Sequence, residues 1–234
     1  MKTIVGLMLG VVLAATTCAA RSDDFVMLGL TPQGTATSIA TQFTTCEGIP
    51  FSLDYGPDGE LLWEFCLGVR CPGTEEYDTS GRLLPTSSRV LLEDGLVRPY
   101  ARIHVLQNAA YAIAVPEGSV AGYIVASYSD GTCSRFPLVV GQNTAEWAWD
   151  RVENQGCLDH TRPDPAFSWR TSIDSAFEYD AHLFLASFPL SDKPLVGIEI
   201  AIEQECCDSR QTCGDEFTTW FALFTSAVTL ELLN

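Results

Sequence analysis

Lysine is almost missing from this chain: Lys193 is the only one after Lys2, and 13 basic residues face 30 acidic ones for a formal net charge of −17. Nucleic acid is excluded as a partner, because such a surface cannot offer phosphates the clustered Lys and Arg they need. The same shortage argues against docking on anionic lipid headgroups. Long apolar runs are missing too. Past the leader no stretch approaches the ~20 consecutive apolar residues of a membrane span, so none is expected. Helical periodicity is scarce, its best instance being Ile173-Asp174-Ser175-Ala176-Phe177-Glu178, about a turn and a half. No Gly-x-Ser-x-Gly precedes a helix, so the nucleophile elbow of a serine hydrolase is not present as a motif. Calcium needs spaced oxygen ligands, and no Asp-x-Asp-x-Asp-Gly loop occurs. Zinc is a weak reading, since no Cys-x-x-Cys has a second partner at finger spacing and the histidines, His104, His160 and His182, are scattered. No cofactor or metal is expected.

What is present begins with a leader. Lys2 is followed by an apolar run over residues 4–15 and then small residues ending Cys18-Ala19-Ala20, the pattern of a secretory signal peptide over 1–20. Residues 21–45 read as an extended N-terminal segment and 46–234 as one domain. The protein is therefore expected to be secreted or at the cell surface, periplasmic or extracellular. A second processing route lipidates Cys18, although Thr17 fits poorly before a lipoprotein cysteine. Either route leaves eight of the nine cysteines, an even number that suggests disulfides in an exported chain. Local spacing favours Cys66 with Cys71, and Cys207, or its neighbour Cys206, with Cys213.

Strand signals dominate the domain. Gly122-Tyr123-Ile124-Val125-Ala126-Ser127-Tyr128 runs into Ser129-Asp130-Gly131-Thr132 and returns as Cys133-Ser134-Arg135-Phe136-Pro137-Leu138-Val139-Val140. An Asp-Gly pair between β-rich runs predicts a hairpin, with Gly131 supplying the positive φ. Val196, Ile198, Ile200 and Ile202 alternate with Glu199 and Glu203, the pattern of a strand with one face on the core and one in water. Trp220-Phe221-Ala222-Leu223-Phe224 and Val228-Thr229-Leu230-Glu231-Leu232 read as two closing strands. Many short strands without helical alternation predict an all-β sandwich or barrel.

The order of motifs carries a resemblance. Gly48-Ile49-Pro50-Phe51 leads to Leu84-Pro85-Thr86-Ser87-Ser88-Arg89-Val90, then to Ala101-Arg102-Ile103-His104-Val105-Leu106-Gln107-Asn108. The Tyr128-Ser129-Asp130-Gly131 turn follows, then Val139-Val140-Gly141-Gln142-Asn143 with Trp147, and Pro194-Leu195-Val196-Gly197-Ile198. Over roughly residues 46–232 this resembles the galactose-binding-like jelly-roll modules of exported bacterial proteins, often attached to glycoside hydrolases. The resemblance implies a jelly-roll β-sandwich that binds carbohydrate. The chain departs from it in its extra cysteines around 206–213 and in lacking an attached catalytic domain.

Sugar sites set a flat aromatic face against a pyranose and add polar groups for the hydroxyls. Trp149-Asp150-Arg151 and Asp159-His160-Thr161-Arg162 offer that mixture on loops, which makes Trp149, Asp150, Arg151, Asp159 and His160 the candidate glycan site. Trp147 and Trp169 read as strand residues packed in the core, and His104 and His182 as satisfied structural residues. With 30 acids, adjacent carboxylates carry no catalytic signal. The reading is an exported non-catalytic carbohydrate-binding module. The alternative is a cell-surface structural or self-assembling protein, which would be a homo-oligomer, and a glycoside hydrolase stands third.

Overall fold

The computed structural model describes residues 20–29, 40–56, 61–62, 65–70, 85–172, 178–202 and 220–233. Among these the chain is all β, with one 3-10 turn at Asp94–Leu96 and no α-helix. The strands in chain order are β1 (Ala20–Ser22), β2 (Phe25–Leu28), β3 (Ala40–Cys46), β4 (Ile49–Tyr55), β5 (Phe65–Arg70), β6 (Ser87–Leu91), β7 (Tyr100–Ala110), β8 (Val120–Tyr128), β9 (Cys133–Val139), β10 (Phe167–Ser172), β11 (Glu178–Pro189), β12 (Leu195–Ile202) and β13 (Trp220–Leu232). A seven-stranded sheet runs β1-β2-β13-β7-β11-β10, with β5 also paired to β13; a four-stranded sheet runs β6-β12-β8-β9; β3 and β4 form a separate hairpin. No helix among the described residues is long and apolar enough to cross a membrane.

Apolar side chains decide how these layers stack. Ile103, Val105 and Ala109 of β7 and Phe221, Leu223, Val228 and Leu230 of β13 share one core with Ile124 and Ala126 of β8 and Ile198 and Ile200 of β12. The two larger sheets therefore pack face to face. On the other face of the large sheet, Phe51 and Leu53 of β4 pack with Leu106, Leu183 and Ala227. Strands β7 and β13 are thus covered on both sides, which is why residues 103–110 are all buried and read as a nearly continuous apolar run rather than an alternation.

Two bulges depart from the sequence expectation. Thr225 pairs with Gln107 but Ala227 pairs with Leu106, so Ser226 is an extra residue in the ladder. It reverses parity: Phe221 and Leu223 face the main core before it, Val228 and Leu230 after it. The two strands expected at 220–224 and 228–232 are one, because Thr225-Ser226 bulges rather than turns. In β12 the register shifts between Leu195 and Gly197, so Leu195 enters the core with Ile198 and Ile200, and Val196 stays half-buried.

The β8–β9 hairpin forms where Asp130-Gly131 predicts it, with Ser127 opposite Cys133. Gly131 has φ +83°, and the loop closes through Tyr128 N–H to Thr132 O at 2.9 Å. Asp130 accepts from Thr132 N–H at 3.0 Å and from its hydroxyl at 2.6 Å. Lys193 reaches Asp130 at 2.7 Å and Thr132 Oγ1 at 3.0 Å. Together the Lys193 ammonium and the Thr132 donors hold the Asp130 carboxyl well below the usual carboxylate range.

Cysteines divide. Cys46 is a buried thiol and Cys133 an exposed one, both free, which departs from the expectation that an even count means disulfides throughout. Cys157 is disulfide-bonded. The pairs expected from spacing involve Cys71, Cys207 and Cys213, which lie outside the described residues, as do Cys18, most of the leader, the turn at 57–59 and the helical candidate at 173–177. The leading segment is joined to the domain where it is described, since β2 pairs with β13 over Phe25 to Leu28.

Gly122 marks the tightest approach in the small sheet. A Cβ there would lie 2.4 Å from the Ala201 carbonyl oxygen, a backbone atom, whereas Gly95 has nothing within 4 Å. Gly122→Ala is expected to lower unfolding stability by about 2 kcal/mol or more, while Gly95→Ala shifts it by less than about 0.5 kcal/mol. Urea denaturation of both variants measures this, and equal midpoints would contradict the tight β8–β12 approach.

Candidate functional site

The site grows from a place where two strands part. Strands β7 and β11 pair from Arg102↔Pro189 to Gln107↔Phe184 and then diverge. Residues 144–148 fill the gap. Ala109 N–H donates to Ala145 O at 2.9 Å, Trp147 N–H to Ala109 O at 2.8 Å, and His182 N–H to Trp147 O at 3.0 Å. Asn108 Nδ2 closes the arrangement by donating to His182 O at 2.9 Å. A short inserted strand of this kind satisfies backbone groups that separation of β7 and β11 would otherwise orphan.

Neighbouring residues of the insert serve different purposes. Trp147 stacks on Trp169 at 6.3 Å with a 24° interplanar angle and meets Tyr179 edge-on at 5.8 Å. With Ala148 and Ala181 these rings form a small separate core. Glu146 is buried, and its carboxylate accepts from Ala112 N–H at 2.8 Å and Ala148 N–H at 3.3 Å. Burial outweighs those donors and nearby Arg151, and pushes the carboxyl up to about 7. Beside it, His160 donates from Nδ1 to Val115 O at 2.9 Å and accepts from Glu146 N–H at Nε2 at 3.4 Å. This fixes the neutral tautomer, and burial lowers the imidazole below its ordinary value.

The expected glycan residues are only partly brought together. Trp149 meets the His160 ring edge-on at 5.3 Å. Asp150 lies 2.8 Å from His182 Nε2 and 3.9 Å from Arg162 Nη2. Arg151 turns to Glu153, 3.1 Å away. Asp159 is exposed; its backbone carbonyl accepts from Glu117 N–H at 3.1 Å and its N–H donates to Ile113 O at 2.9 Å. His160 is buried with both ring nitrogens engaged by the protein, so it positions Trp149 rather than facing solvent. Trp149 and Asp150 are each half-exposed, and Asp150 faces a further half-exposed residue, Arg162, at 3.9 Å.

A feature that sequence reading missed adjoins them. Ser168 Oγ lies 2.8 Å from His182 Nδ1, and His182 Nε2 lies 2.8 Å from Asp150 Oδ2. Because a carboxylate accepts only, Nε2 carries the proton and Nδ1 accepts from the serine hydroxyl. Strand register produces this contact. Ser168 and His182 are directly opposite, and His182 N–H points away from β10 to Trp147. They are therefore a non-hydrogen-bonded pair, the kind whose side chains lie closest. No local motif announces it, since the partners sit at 150, 168 and 182 and only the register of β10 against β11 joins them. A second chain with the same connectivity links Ser187 Oγ, His104 Nδ1 at 2.8 Å, and His104 Nε2 to Glu231 at 3.2 Å. Among the described residues no group of three or more His, Cys, Asp or Glu side chains converges as a metal site requires.

Searches against protein-family models, curated proteins and solved structures find no match for this chain.

The Glu146 carboxyl makes a prediction with a definite sign. Its folded value of about 7 lies above the ordinary 4.5, so the folded chain keeps a proton that the unfolded chain releases. Stability from this group is complete below the unfolded value and is lost as pH climbs through the folded one. Relative to Glu146→Gln, the wild type is expected to lose on the order of 3 kcal/mol between about pH 4.5 and about pH 7.5. Parallel urea-denaturation series at several pH values measure the difference; parallel lines would mean that Glu146 is ionised in the folded state throughout.

Proposed function

We propose that this chain is an exported carbohydrate-binding β-sandwich of the galactose-binding-like jelly-roll type. The observation that carries the reading is a half-exposed Trp149 next in sequence to Asp150, whose carboxylate faces Arg162 at 3.9 Å. An indole face covers the apolar side of a pyranose, while a carboxylate and a guanidinium take adjacent hydroxyls as acceptor and donor. The loop holding them is fixed: Asn154 Nδ2 donates to Ala148 O at 2.9 Å, and Trp149 rests on a histidine that is itself locked. Such rigidity suits weak, specific sugar contacts, because little ordering entropy is lost on binding. The net charge of −17 favours a neutral sugar over an acidic polysaccharide, which the surface would repel. Export follows from the leader, and an oxidising destination agrees with the disulfide at Cys157.

Titration of neutral mono- and oligosaccharides at millimolar concentration, followed by calorimetry and tryptophan fluorescence, is expected to show saturable binding. Trp149→Ala is expected to weaken it by at least tenfold, about 1.4 kcal/mol, and Trp149→Phe by less, since Phe retains the contact with His160. No heat and no fluorescence change with any saccharide would overturn the reading.

A further inference from the structure

The two serine–histidine–acid chains have the same connectivity and different surroundings. Ser187 is half-buried on the part of β11 that pairs with β7, past the stretch paired with β10. Ser168 is exposed on β10, which has β11 on one side and no second neighbour among the described strands. His182 is nearly sealed from solvent, with 4% of its side chain exposed against 35% for Asp150. An accessible hydroxyl, a shielded imidazole and a half-exposed carboxylate, joined by two 2.8 Å contacts, are the parts of an activated serine.

We propose that Ser168, His182 and Asp150 form a nucleophilic relay that hydrolyses carboxylic esters, an activity that goes beyond sugar binding and does not depend on it. Asp150 holds the proton on Nε2, which leaves the Nδ1 lone pair facing the serine. Which ring nitrogen faces which partner is reversed from the familiar serine proteases, but the acid–base logic depends only on the unprotonated nitrogen meeting the hydroxyl. Ser168 Oγ attacks the acyl carbon as its proton passes to His182 Nδ1. The C–O bond to the alcohol breaks, His182 returns that proton to the departing alkoxide, and an acyl-Ser168 remains. Water then attacks the acyl carbon, giving one proton to His182 Nδ1. That proton moves back to Ser168 Oγ as the carboxylic acid leaves. Ester and water are consumed, acid and alcohol are released, and no other reactant is needed.

The same register supplies a donor for the oxyanion. In a non-hydrogen-bonded pair the backbone groups of both residues point away from each other. His182 N–H accordingly goes to Trp147 O, and Ser168 N–H points out of the opposite side of β10, next to its own Oγ. A backbone N–H adjoining the nucleophile stabilises the charge that develops on the carbonyl oxygen. Arg162 adds a cation near Asp150, and its Nη1 is buried with no hydrogen-bond partner among the described residues.

A fluorophosphonate reacts by loss of fluoride to an activated serine oxygen and reports the relay without knowledge of the natural ester. Treatment of the whole protein, followed by peptide mass spectrometry, is expected to place one adduct on Ser168. Ser168→Ala removes it, and Ser187→Ala leaves it unchanged. Because His182 is buried and its replacement endangers folding, Asp150→Asn tests the relay instead, and it is expected to slow labelling and p-nitrophenyl acetate hydrolysis at least tenfold. No adduct, an adduct only at another serine, or undiminished labelling of Asp150→Asn would overturn the proposal. Saccharide binding by Ser168→Ala is read separately, so loss of one activity is distinguishable from loss of the other.

Discussion

Burial of β7 and β13 on both faces is the constraint from which the rest of the structure follows. An edge or half-exposed strand can leave a polar side chain to water, but these two cannot, so each polar group on them needs a protein partner. Asn108 donates to His182 O, Gln107 to Asn143 O, and Thr229 to Pro50 O. Each of these bonds ties the central pair to a different part of the chain: β11, the turn after β9, and the β3–β4 hairpin. Some groups remain unpartnered among the described residues. Gln107 Oε1, Asn108 Oδ1, Thr225 Oγ1 and Ser226 Oγ are buried without a hydrogen bond, and all lie at the register of the β13 bulge. The bulge concentrates the cost of a polar stretch in one place while letting the apolar residues on either side of it face the same core.

The site inherits its geometry from that central pair. Gln107 grips the carbonyl of Asn143 at 2.5 Å, and the Asn143 side chain accepts from Val139 N–H at 2.7 Å. The turn that ends β9 is fixed in this way, with Gly141 at φ +83°. From that turn the chain enters the insert at 144–148, which places Glu146 inside and Trp147 in a separate aromatic core. Asp150 follows within reach of His182. A side chain buried near the centre of β7 therefore sets the position of a carboxylate several residues beyond the end of the neighbouring sheet. Substitutions in this relay act through position rather than chemistry, so intact folding with altered site geometry is their signature.

How much of this was legible in the sequence depends on the range of the interaction. The β8–β9 hairpin was readable because Asp130-Gly131 encodes its turn locally. Strand β12 was readable from alternation, apart from the bulge that exchanges Val196 for Leu195, since a one-residue slip leaves composition unchanged. The closing strand was divided in two because Thr225-Ser226 looks like a turn when its burial is unknown. At the site, Trp149 and Asp150 were legible as a loop bearing an aromatic and a carboxylate. Ser168 and His182 were not, because a strand sequence carries no mark of which residue lies opposite which. His160 shows the converse: its loop position suggested exposure, but Val115 O and Glu146 N–H draw it inside.

The two serine–histidine–acid chains show how packing can generate chemistry without a motif. A histidine buried in a sheet has two ring nitrogens to satisfy, one as donor and one as acceptor. Its cross-strand neighbour and one carboxylate at the sheet margin are the nearest available partners, and serine is small enough to fit opposite an imidazole in a close pair. The same answer therefore arises at His104 and at His182, under the same constraint and with the same nitrogen facing the serine. What separates them is the position of the serine. Ser187 is half-buried opposite His104, and there the chain contributes only satisfied hydrogen bonds. On β10 the hydroxyl is exposed, the backbone N–H beside it faces outward, and the buried imidazole behind it turns its proton acceptor toward that hydroxyl. Reactivity in this fold is thus a property of where in the sheet a structural solution falls, not of the residues that compose it.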